Sequence, residues 1–207
     1  MTTLGRRGFL AGVGGVALTL SVGATEATAA PTEWRGRDSA NGWPIRTRGM
    51  TEVRVEGSTA TMTVLAGPAA ILLAHVARRF HYEIAPLGPG DILGHTTDRR
   101  VGALQSNHLS GTAIAILPAA YPLSVAGGLY PHEIATIRDI LADCSPAVRW
   151  GGDDPSAPQE GHFALDATPA AAAQAVRALV AAGTIPDPFT PLRRARALDL
   201  ARRQRRR

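Results

Sequence analysis

Three side chains in two distant segments are of the types that hydrolytic metal chemistry uses. His108 stands in SNHLSGTAIAILP, Ser106 to Pro118, where a small polar loop runs into an apolar, β-branched stretch. His162 stands in WGGDDPSAPQEGHFALD, again where a loop enters a short strand, and Glu160 lies just before it. A turn at Gly161 would bring Glu160 and His162 to one cleft. A hydrolytic zinc site needs three protein ligands, an open position for water and a carboxylate within reach of that water. The carboxylate takes the water's proton and later delivers it to the leaving amine. By position, His108 and His162 suit the ligand role and Glu160 suits the acid–base role. The alternative is that both histidines simply open buried strands. The other four histidines read as surface or capped residues: His75 and His81 in a helix, His95 in a Gly loop, His132 in a first helical turn.

The elements that would position these groups follow from pattern. VRVEGSTATMTVL, from Val53, alternates around a Gly-Ser turn as a β-hairpin does. Pro68 opens a helix with Ile71, Leu72, Val76, Arg79 and Phe80 at helical spacing. A Pro/Gly loop, APLGPGDILGH, leads to the His108 segment, and Thr112 to Leu117 reads as a strand. Pro131 starts a second helix with Ile134, Ile137, Leu141 and Cys144 on one face; AVRW and HFALD read as strands. Thr168-Pro169 caps and opens an Ala-rich third helix that runs to Gly183. This order predicts an α+β domain with a small, largely antiparallel sheet packed with helices.

Charge and composition narrow the class. The chain has 207 residues, 45% of them apolar, enough for one domain with a core. Its net charge of +5 is unevenly spread. Eight arginines and Asp199 leave +7 from Arg193 onward; the body between the termini sums to −3. A mildly acidic domain with a basic tail gives no argument for a specific nucleic-acid-binding fold. That tail could meet anionic wall polymers or a membrane surface through an amphipathic helix, or be a solubilising end. Cys144 is the single cysteine, which excludes an internal disulfide and a cysteine metal cluster. At the other end, Arg6-Arg7 precedes Phe9-Leu10, a short Gly-rich apolar run and Ala27-Thr28-Ala29. This resembles a twin-arginine signal. It implies passage through the Tat export machinery and a working place in the periplasm, cell wall or extracellular space. The expected organisation is a signal peptide at 1–29, an irregular arm at 30–51, a domain at 52–189 and an Arg-rich tail at 190–207.

SNHLSGTAIAI resembles the SxHxxGxAxD signature of the zinc D-alanyl-D-alanine carboxypeptidase/L-alanyl-D-glutamate endopeptidase family, the vancomycin-resistance type included. WGGDD followed by EGHF resembles that family's second segment, where an acid shortly precedes the last metal histidine. The resemblance runs roughly from Asn41 to Asp166. It implies a Hedgehog/D,D-peptidase-like fold, zinc on His108 and His162, Glu160 as base, and a peptidoglycan stem peptide as substrate. Ser106 and one of Arg99 and Arg100 would hold the substrate's carboxylate, a contact arginine makes bidentately. The pattern breaks at position 115, where the third ligand, an Asp, is replaced by Ala115. Ala113, Ala115 and Leu117 share a strand face, so nothing polar replaces it there. Asp153 or Asp154 would have to substitute. Glu160 also lies two residues before the histidine where some members place the acid three before; Gln159 occupies that position. Two expectations follow: an exported zinc peptidase weakened by Ala115, or a catalytically inactive wall-peptide-binding or regulatory relative.

Overall fold

A computed structural model describes residues 33–183. The expected export signal and the Arg-rich tail lie outside the described residues. The hairpin forms as the alternation predicts: β1 (Met50–Arg54) pairs antiparallel with β2 (Thr61–Leu65). Pro68 then opens α1 (Pro68–Glu83), whose φ-locked first residue needs no amide partner. β3 (Ile92–Leu93) follows in the Pro/Gly loop, and a 3-10 turn over Leu104–His108 delivers the chain to β4 (Ala113–Ile116). α2 (Pro131–Asp143), β5 (Val148–Trp150), β6 (His162–Leu165) and α3 (Pro169–Ala181) complete the order. Thr168 accepts from the Ala171 amide and caps α3 as its sequence predicts.

The second sheet has the order β3-β4-β6-β5, antiparallel throughout. The molecule is therefore α+β. Strand alternation divides the sheet into two faces. Ile114 and Ile116 of β4, with Phe163 and Leu165 of β6, enter the apolar core with Leu72, Leu73, Val76 and Phe80 of α1. Phe80 meets Phe163 edge-to-face, centroids 6.3 Å apart. On the other face lie Ala113, Ala115, His162 and Ala164, with Ala115 opposite His162 and Ala113 opposite Ala164. Helices load one face, and the candidate chemistry occupies the other.

Two helical positions depart from their patterns. Ile71 is exposed, although the spacing groups it with the apolar face, and His75 is buried. His75 survives there because Asp143 of α2 takes its Nε2 at 3.0 Å; Arg79 also reaches Asp143, at 2.9 Å. The arm before β1 is tied to the second sheet. Trp43 Nε1 donates to Ala167 O, and Asn41 Nδ2 donates to Thr112 Oγ1 and Leu165 O.

Candidate functional site

His108 ends the 3-10 turn, and His162 opens β6. The fold brings them together with ring centroids 5.1 Å apart and planes at 74°. His108 Nδ1 donates to Gly94 O at 2.8 Å, because a carbonyl only accepts. In the neutral ring this fixes the tautomer and leaves the Nε2 lone pair free. Burial pushes the His108 pKa down to about 4, against the opposing effect of the Gly94 bond. Burial likewise holds His162 well below the ordinary histidine range, with His108 adding to the effect. His162 has no exposed surface, and neither of its ring nitrogens has a hydrogen-bond partner among the described residues. A buried polar group left so is costly and calls for an occupant such as water or an ion.

A cleft of about 490 Å3 opens against His108. Its walls include Gly94, His95, His108, Ala115, Pro122 and Gln159. Gln159 is buried, and its Oε1 has no hydrogen-bond partner among the described residues. In the sequence Gln159 stands out only as the occupant of the position three before His162, and no role is assigned to it there. His95, read as a surface histidine, stands at the cleft and holds Arg46 O through Nε2 at 3.0 Å.

Glu160 is placed differently. Its carboxylate accepts from the Gly127 and Gly128 amides at 2.9 and 2.7 Å, and its carbonyl accepts from Trp150 Nε1 at 2.7 Å. It lines neither the large cleft nor the smaller cavity, of about 140 Å3, that His162 borders. Gly161 makes the turn between Glu160 and His162 because a Cβ there would collide with the Ile116 carbonyl oxygen. The Glu160 carboxylate thus lies on the Gly127–Gly128 amides, while His162 borders the smaller cavity, so the structure does not bring both to one cleft as the spacing predicts.

The residues expected at a substrate carboxylate have other partners. Ser106 Oγ donates to Ala103 O at 2.6 Å and accepts from the Ala40 amide at 2.8 Å, fully buried. Arg99 donates to Trp34 O and Gly36 O. Arg100 pairs with Asp98 at 2.8 Å on the surface. Asp153 is taken by Arg138, and Asp154 Oδ1 accepts from the Ser156 and Ala157 amides.

The zinc centre implied by the resemblance needs a third charged ligand, and that requirement is not met. Among the described residues no group of three or more His, Cys, Asp or Glu is placed to hold a metal ion. Two imidazoles converge; a methyl group faces His162 across the strands. No protein-family model, curated protein or solved structure matches this chain.

Proposed function

We propose that the chain is an exported protein that binds peptidoglycan stem peptides in the cleft at His108, Ala115 and Gln159 without hydrolysing them. On this reading it is a D,D-peptidase-like relative of the zinc carboxypeptidase/endopeptidase family whose catalytic set has been dismantled. Two motifs from separate parts of the chain meet at one sheet face, which supports the ancestry. The observation that carries the loss of hydrolysis is the cleft's floor: Ala115 where a ligand is required and the amide of Gln159 where a base is required. An amide does not accept a proton at neutral pH, so it cannot activate water. It can still pair with a peptide N–H or C=O. The neighbouring acid, Glu160, is engaged by two glycine amides and serves the Gly127–Gly128 loop.

The test is calorimetric titration of the full chain with a stem pentapeptide, alongside an Ala115→Leu variant that fills the cleft. The wild type is expected to bind and the variant to lose most of that affinity, with both melting within a few degrees of each other. Equal binding by both would place the peptide elsewhere and remove the proposal.

A further inference from the structure

We infer that a groove at Trp34, beside the cleft, holds the sugar to which a stem peptide is attached, with the sugar ring stacked on the indole. The inference rests on the peptide-binding reading and extends it from a free peptide to a glycan-linked one.

The indole is built as a fixed platform. Trp34 Nε1 donates to Asp38 O at 2.9 Å. Gly36 lies against the same edge of the ring, where a Cβ would stand 2.8 Å from Nε1 and 3.1 Å from Cε2. Glycine lets the backbone pass that close. Arg99 braces this part of the arm from two sides. Its carbonyl accepts from the Trp34 amide at 2.7 Å, and its guanidinium donates to Trp34 O at 3.0 Å and Gly36 O at 3.1 Å. The arginine that the resemblance assigns to a substrate carboxylate therefore anchors an aromatic side chain.

That side chain is only half-buried, and with Val101, Gly102 and Ala103 it lines a groove of about 450 Å3. The other two tryptophans belong to the core, Trp43 at 8% exposed and Trp150 at 4%. An oriented indole open to solvent offers a flat apolar face beside a polar tip. A pyranose ring presents the complementary surface, an apolar C–H face with hydroxyls around its rim. Glu33 and Arg35, both exposed, border the groove on either side of Trp34 in the chain. A carboxylate accepts from hydroxyls, and a guanidinium donates to hydroxyl and acetamido oxygens. The lining thus matches a sugar in its apolar face and in its polar rim.

Position decides between a sugar and any other flat ligand. Val101 lines both the groove and the His108 cleft, so the two concavities adjoin. A stem peptide in the cleft carries its sugar at one end, and the groove is the adjoining space with an aromatic floor. Stacking on one ring accounts for an affinity gain of about tenfold.

The experiment titrates the full chain with a stem pentapeptide, with the same peptide linked to N-acetylmuramic acid, and with a soluble tetramer of N-acetylglucosamine. Calorimetry reads affinity and tryptophan emission reads the groove, since Trp43 and Trp150 are buried. The sugar-linked peptide is expected to bind about tenfold more tightly than the free one and to change the emission. Trp34→Ala should erase that preference and leave the free-peptide affinity unchanged. Arg35→Ala, at an exposed position, should reduce the preference even if Trp34→Ala fails to fold. Equal affinity for linked and free peptide would overturn the inference and leave peptide binding intact. A preference that survives Trp34→Ala would place the sugar elsewhere and overturn it too. Sugar tetramer that binds and changes the emission of a chain that takes no stem peptide would uphold the groove and remove the peptide-binding reading.

Discussion

Ala115 and Gln159 together decide what chemistry the cleft can perform. Directly paired residues on antiparallel strands hold their Cβ atoms about 5 Å apart, so an aspartate at 115 would reach across toward the His162 ring. Ala115→Asp is expected to raise zinc affinity at least tenfold in the absence of any ligand. Adding Gln159→Glu should then produce measurable cleavage of a stem peptide, read as product by mass spectrometry. A double variant that binds zinc tightly yet stays inert would show that more than these two groups has been lost. Ser106 offers a contrasting case, since its hydroxyl joins the arm to the 3-10 turn. Ser106→Ala should cost about 1–3 kcal/mol in chemical denaturation and leave stem-peptide affinity unchanged. Loss of affinity at unchanged stability would return Ser106 to the substrate. Cys144 is buried, and burial pushes its thiol up to about 12. It should therefore resist alkylation in the folded chain and react once urea unfolds it.

Among the elements, the hairpin, three helices and the strands β4, β5 and β6 were legible in the sequence. Their signals are local: alternation about Gly57-Ser58, Pro at three helix starts, the Thr168 cap. β3 was not legible, because two residues carry no period and Ile92–Leu93 become a strand only by pairing with β4. The resemblance puts His108 and His162 at one site, and the end of the 3-10 turn and the start of β6 bring their rings to 5.1 Å. Glu160's direction depended on the Gly127–Gly128 amides, distant in sequence, so no local pattern could reveal it. His75 was hidden for a similar reason, since its partner Asp143 belongs to another helix. Burial lowers the His75 pKa despite Asp143, with Arg78 and Arg79 also nearby. The folded state thus keeps His75 neutral where the unfolded chain takes a proton near pH 6.5. Stability from this group is present above that pH and is lost as pH falls through it toward the folded pKa. The urea midpoint should accordingly drop between pH 7 and pH 5, with His108 and His162 contributing in the same direction, and His75→Gln should remove part of that drop. An unchanged slope in the variant would assign the acid sensitivity to other groups.

Across the whole molecule, the second sheet separates two tasks. One face is closed by α1 and the Phe80–Phe163 contact, and the other carries alanines around a histidine pair and a cleft. An alanine-floored face leaves room for a ligand where larger side chains would fill the space themselves. No helix among the described residues is long and apolar enough to cross a membrane. The central claim is recognition of a cell-wall peptide without turnover, and one incubation tests it most directly. The full chain is mixed with a stem pentapeptide and excess zinc, and the bound fraction and the cleavage products are measured in the same sample. The account predicts saturable binding with the peptide recovered intact after many hours. Steady product formation that Glu160→Gln abolishes would contradict it, and would make the chain a working peptidase.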